Sequence, residues 1–176
     1  LVQNVAEADT LDFSPTEKGV ILTQTTLSQD DTHEIVQALL KRFPHLELPP
    51  SDDICYATQN RQNAVKQITT GLDLLLVVGS QNSSNSQRLT EVARARGVQS
   101  YLVDGPDQVR LEWLEGVKNV GVTSGASAPE DVVQGVVTLL RNRGVMNLSE
   151  VDAPDENVEF KLPAFTPLTK AGKAVE

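Results

Sequence analysis

Two kinds of apolar pattern alternate along the second half of this chain. In "LDLLLVVGS", "SYLVDG" and "KNVGVTSG" the apolar residues are nearly continuous, whereas between and after these stretches they recur every three or four positions. Continuous Val/Leu runs belong to strands buried on both faces, and the three-to-four spacing belongs to helices with one apolar stripe. The pattern therefore predicts three strands and three helices after Leu72. The helices lie at about Arg88 to Arg96, closed by Gly97, over "DQVRLEWLEG", and over "APEDVVQGVVTLLRNRG" with Pro129 in its first turn and Gly144 past its end. Such alternation from Leu72 to Gly144 predicts an α/β fold, with parallel sheets covered by helices on both faces.

Upstream, "DDICYATQNRQNAVKQITTG" reads as a helix with Cys55 in a short stretch ahead of it, Ala64, Val65 and Ile68 on its inner face, and Gly71 as its stop. "KGVILTQTTLS" reads as a strand from Gly19 to about Gln24 with Val20, Ile21 and Leu22 buried. Ser28 followed by Asp31 then forms a capping-box-like helix start, and Ile35, Val36, Leu39, Leu40 and Phe43 keep helical spacing until Pro44. The Pro-rich "PHLELPPSDD" marks a boundary near residue 50, giving units 1–50 and 51–145. Residues 146–176, with Pro154, Pro163 and Pro167 and no sustained period, form a tail. "LVQNVAEADTLDFS" opens on an apolar pair without an initiator Met, as expected of a chain that begins inside a domain.

Charge narrows the classes of partner. With a net charge of −9 and no basic stripe, the chain lacks the means to neutralise a nucleic acid or an anionic membrane. No apolar run approaches the roughly 20 residues that span a bilayer. The single cysteine forbids an intramolecular disulfide and points to a reducing compartment. The expected location is cytoplasmic, with the plastid stroma as the alternative.

Hydroxyl-rich turns follow three of the predicted strands: Thr23, Thr25 and Thr26; Ser83, Ser84, Asn85 and Ser86; Thr123, Ser124 and Ser127. In an open α/β sheet, ligands bind at the carboxyl ends of the strands, where the amides of helix N-termini and neutral hydroxyl donors can hold an anion. A small phosphate or diphosphate fits such an edge, and neutral donors suit an acidic chain. In the plainer alternative each cluster supplies only caps and turn bonds. Neither G-x-G-x-x-G nor a Walker loop is present, which disfavours dinucleotides and nucleoside triphosphates. Cys55, ahead of a helix, suits a nucleophile, a metal ligand or a small core residue. His33 and His45 read as surface residues with nothing tying them to Cys55. Asp52 and Asp53 read as helix-terminus charges.

Four stretches in order, "TQTTLS", "DDICYATQNRQ", "VVGSQNSSNSQRL" and "VGVTSGASAPEDVV", closely resemble the 4-hydroxy-3-methylbut-2-enyl diphosphate reductases, from about Gly19 to Gly144 and with a familiar "ENVEFKLP" in the tail. The resemblance implies a trilobed α/β protein around a [4Fe-4S] cluster. It implies reductive removal of the allylic hydroxyl of the diphosphate substrate, to give isopentenyl and dimethylallyl diphosphates, with electrons from an external donor such as ferredoxin or flavodoxin. Cys55 matches one of three cluster cysteines. Ser83, Ser84, Asn85 and Ser127 match diphosphate donors, and Thr25 matches a threonine beside the reacting end. The other two cysteines, the substrate-contacting histidines and the proton-donating glutamate have no counterpart here. The chain accordingly resembles the rest of the second lobe, the third lobe and the tail, and is expected to be inactive alone. The alternative is a non-catalytic α/β phosphate-binding module in which Cys55 is core.

Overall fold

A computed structural model describes residues 1–14, 17–49, 54–144, 147, 149 and 151 of the 176. Its centre is β1 (Leu74–Val78), five apolar residues that are all buried. A strand with no polar face needs cover on both sides and a partner at each edge. Here β2 (Gln99–Val103) and β3 (Val120–Ser124) both pair with it in parallel, giving the order β2-β1-β3. The register sets Leu74 against Gln99 and Val120, and Val78 against Val103 and Ser124.

The alternation of β1 side chains sends Leu75 and Val77 to one face, where Val65 of α3 (Tyr56–Ile68) and Leu89, Val92 and Ala93 of α4 (Ser84–Ala95) cover them. Leu74, Leu76 and Val78 go to the other face, under Val136 and Leu140 of α5 (Glu130–Asn142). The predicted doubly covered parallel sheet is thus present in residues 74–142. The helix stops hold as well: Gly97 and Gly144 take φ of +80° and +100° just beyond α4 and α5, a left-handed conformation that favours glycine. Pro129 is the residue that caps α5 rather than part of its first turn.

Three predicted elements differ, the first being α4, which begins at Ser84 rather than about Arg88 and so takes Ser84, Asn85 and Ser86 into a helix. "DQVRLEWLEG" is not one helix but two short 3-10 turns, Pro106–Gln108 and Leu111–Leu114, with an extended residue, Val109, after the first. Val109, Trp113 and Leu114 still pack on the α5-covered face of the sheet from these turns. Around residues 19–24 the chain makes one isolated parallel bridge, Val20 to Glu47, in place of a strand. Val20 and Leu22 are 57% and 73% exposed, while Ile21 turns inward. An apolar run with one bridging residue and no second neighbour keeps the two-residue alternation of an extended chain, so only every other side chain is covered.

The residues before 50 otherwise contribute two helices. α1 (Val5–Thr10) packs on α2 (Gln29–Arg42) through Ala8, Leu39 and Phe43, and the Arg42 guanidinium donates to Ala8 O at 2.6 Å. Ser28 caps α2 by accepting from Asp31 N, as the capping-box pattern predicts. The boundary near residue 50 and nearly all of the tail lie outside the described residues.

Candidate functional site

β1 and β3 are neighbours in register, so their carboxyl ends lie side by side, and Gly125 N donates to Val78 O at 2.9 Å. The order β2-β1-β3 places the change of winding direction at β1, the position where α/β sheets open a crevice. The loop after β1 and the loop after β3 both face that crevice.

The polar surplus after β1 divides by what each residue does. Ser80 accepts Ser83 N through its carbonyl at 2.9 Å and Asn82 N through its hydroxyl at 3.2 Å, which forms the turn. Gln81 donates to Leu102 O at 2.9 Å and so ties the loop to β2. Ser83 is the N-cap of α4, accepting Ser86 N at 3.3 Å and the Ser86 hydroxyl at 3.0 Å. Ser86 is fully buried between two glycines: a Cβ at Gly79 or at Gly125 would collide with its hydroxyl. These residues do the capping and turn work of the plainer alternative.

Ser84 and Asn85 do not. Ser84 is exposed in the first turn of α4. Asn85 is only 8% exposed, yet neither its Oδ1 nor its Nδ2 has a partner. A buried amide without hydrogen bonds costs roughly 1–3 kcal/mol. It sits in the first turn of α4, beside Gly125 of the neighbouring loop. Ser127 is exposed in the turn from Gly125 to Ala128, closed by Ala128 N donating to Gly125 O at 3.1 Å. Thus Ser83, Ser84, Asn85 and Ser127 occupy two adjoining loops at one sheet edge. Thr25 lies on an exposed turn of the N-terminal unit, two residues before Leu27, whose carbonyl accepts from Gln62 of α3.

Cys55 is the N-cap residue of α3 and is exposed, with Sγ 3.0 Å from the Thr58 hydroxyl. That placement removes it from the core. The same helix carries Arg61, whose guanidinium donates to Ser124 O at 3.0 Å and to the Ser124 hydroxyl at 3.3 Å. Arg61 puts a cation at the carboxyl end of β3. Charge counting over the whole chain hides it, although its place six residues after Cys55 on one helix was a usable signal. His33 and His45 are exposed, and His45 stacks on Phe13. Two shallow grooves lie elsewhere, one of about 400 Å³ between the start of α2 and α4, the other of about 420 Å³ beside β2. The sheet edge is marked out by its unpartnered polar atoms rather than by an enclosed cavity.

The family model described as LytB protein matches residues 1–141. The chain belongs to the LytB protein family. A LytB relative from Ectopseudomonas mendocina (strain ymp), named 4-hydroxy-3-methylbut-2-enyl diphosphate reductase, is 50% identical over 93% of this chain and 52% of its own length. One of the same name from Leifsonia xyli subsp. xyli is 50% identical over 100% of this chain and 52% of its own. The solved E-1-hydroxy-2-methyl-but-2-enyl-4-diphosphate reductase from Plasmodium falciparum superposes with a TM-score of 0.86 at 43% identity, covering 92% of this chain and 52% of that one. The LytB chain spans about half the length of the curated relatives it matches.

Iron–sulfur clusters are held by cysteine thiolates. Cys55 fits one such position, because its sulfur is open to solvent at a helix N-terminus, where the dipole favours an anionic ligand. As the one cysteine of this LytB sequence, it would supply at most one such ligand. Among the described residues, no three or more His, Cys, Asp or Glu side chains converge as a metal site.

Proposed function

We propose that this chain is the diphosphate-holding part of a 4-hydroxy-3-methylbut-2-enyl diphosphate reductase, with Ser83, Ser84, Asn85 and Ser127 as neutral donors to the diphosphate and Cys55 as one cluster ligand. The reaction in the whole enzyme is a reductive dehydroxylation. The allylic C–O bond breaks, two electrons from an external donor enter, one proton leaves with the hydroxyl as water, and a second goes to the allylic carbon of either product.

The observation that carries this reading is Asn85, a buried amide with both ends unpartnered at the N-terminus of α4. A diphosphate oxygen would accept from Nδ2 and from the free amides of that first turn. Arg61 adds positive potential from across the β3 end. Hydrogen bonds to a charged acceptor contribute about 1.5–3 kcal/mol each, enough for binding while still allowing product release. A [4Fe-4S] cluster, when bound through Cys55 and ligands from the remainder of the enzyme, would supply the electrons. The part this chain plays is to hold the diphosphate and orient the allylic chain, with Thr25 beside its reacting end.

The second reading, a non-catalytic phosphate-binding module, shares the anion site but makes Cys55 a core residue. The exposure of Cys55 favours the reductase. Titration calorimetry with inorganic diphosphate tests the site, and Ser83→Ala with Asn85→Ala should weaken binding at least tenfold. Unchanged affinity would place the anion elsewhere. Iron and sulfide analysis of the anaerobically purified full-length protein, with and without Cys55→Ser, separates the two readings. Equal iron in both would return Cys55 to a structural role.

A further inference from the structure

Gln62 of α3 is fully buried, and both ends of its amide are used. Its Nε2 donates to Leu27 O at 2.8 Å, and its Oε1 accepts Gln29 N at 3.1 Å. These two backbone groups flank Ser28, the cap of α2, more than thirty residues away in sequence. A carboxamide offers one acceptor and one N–H donor side by side, the complement of a carbonyl and an amide spaced across a helix cap.

The turn held in this way carries Thr25, and the bonds described around it are few. Val20 to Glu47 is a single bridge, Leu22 is exposed, and the turn's own bond from Leu27 N to Gln24 O is long, at 3.4 Å. Lys66–Asp30 and Arg88–Asp31 also cross between the two units, but their carboxylates are 67% and 70% exposed, so water and salt screen them. α3 meanwhile bears Cys55 at its first cap and reaches Ser124 through Arg61.

We propose that Gln62 is a positioning residue, a buried latch that sets the turn carrying Thr25 relative to Cys55 and the Ser83–Ser86 loop. The inference rests on the reductase reading for the role of Thr25, and on the two hydrogen bonds for the latch itself. Since the hydrogen bonds of Gln62 go to the backbone on either side of Ser28 and not to the Ser83–Ser86 loop, its loss should misplace the reacting end and leave the diphosphate end in place.

The test uses the full-length enzyme carrying this segment. Gln62→Met keeps the side-chain length and removes both bonds; kcat should fall about 10- to 100-fold, as misplacements near 1 Å do, with KM within threefold and iron content unchanged. Gln62→Glu keeps the acceptor and, when protonated, restores the donor, so its activity relative to the parent should rise as pH falls. Thr25→Val in the same protein checks the underlying reading. A Gln62→Met enzyme with kcat within twofold of the parent, beside a Thr25→Val enzyme that has lost turnover, overturns the latch and leaves the reductase reading standing. Normal turnover in Thr25→Val overturns the assigned role of Thr25 and the latch with it. Should Gln62→Met melt below the assay temperature, the Gln62→Glu profile decides, and a profile parallel to the parent's overturns the proposal.

Discussion

Asn85 is a buried side chain whose polar atoms the fold leaves without partners. Replacing it with Leu, of the same branching and heavy-atom count, removes two buried polar atoms that have no partners. The variant is expected to be as stable as the parent or more so, by about 1 kcal/mol, because no unsatisfied amide remains. It should also lose diphosphate binding. Chemical unfolding and calorimetry on the same two proteins check both signs, and a destabilised variant that still binds would contradict the assignment. Asp73 plays the opposite, structural part. Its carboxylate accepts Asn119 N at 2.8 Å and Lys118 N at 2.9 Å, clamping the start of β3 to the start of β1. The Asn119 amide first and the Lys118 amide second hold its pKa below the ordinary 3.8. A carboxylate whose pKa is depressed by folding stabilises the fold above its unfolded value and loses that contribution as pH falls through the folded one. Asp73→Asn should therefore melt earlier than the parent near neutral pH, and the gap should close in acid below about pH 4. Melting curves collected over that range measure it.

Between elements, the contact that shapes the site is the seat of α4 on the ends of β1 and β3. Gly79 and Gly125 leave room for the Ser86 hydroxyl, which donates to Ser83, the cap of the same helix. Gly125→Ala would force the helix start away from β3, at a cost of about 1–3 kcal/mol typical of overpacking. Ser86→Ala in that background should recover part of the loss, since the hydroxyl is the atom the new Cβ meets first. A double-mutant cycle in urea should show a coupling of about 0.5–3 kcal/mol, and additive effects would mean that the helix is not seated through Ser86. The outer edge of β2 is finished differently. Its outward carbonyls at Ser100 and Leu102 are taken by Arg94 and Gln81, so part of the surplus polarity after β1 serves the sheet rather than a ligand.

At the scale of the whole molecule, the residues before 50 and those from 74 to 142 are unequally built. Residues 74–142 have a parallel sheet with apolar clusters on both faces, whereas the N-terminal unit has one cluster built from α1, α2 and the chain around Phe13 and Leu46. Amides of Leu74–Val78 should exchange at the rate of global unfolding, and those of Val20–Leu22 much faster, because exposed backbone with a single bridge opens locally. Hydrogen exchange by mass spectrometry reads both segments together. Equal protection would mean that the N-terminal unit is closed by contacts other than those described here.

The strands, α2 to α5 and the glycines beyond α4 and α5 were readable in the residues, because apolar period, caps and left-handed turns are local properties. The parallel α/β fold followed from them, since continuous apolar strands have few ways to be covered. Motif order likewise carried the family, from "DDICYATQNRQ" to "GASAPEDVV". What sequence pattern could not supply was partnership at a distance. Val20 and Leu22 read as buried because a run of apolar residues does not say whether a second strand lies beside it. "DQVRLEWLEG" read as a helix because Val109, Trp113 and Leu114 keep helical spacing, and two short 3-10 turns bring the same residues to one sheet face. The hydroxyls after β1 looked alike on the page, and only packing separated Ser83 and Ser86, which bond each other, from Asn85, which bonds nothing. Gln62 gave no sign of its role and Arg61 at most its place on the helix that Cys55 caps, because their hydrogen-bond partners lie 35 and 63 residues away and are brought to them by the fold alone.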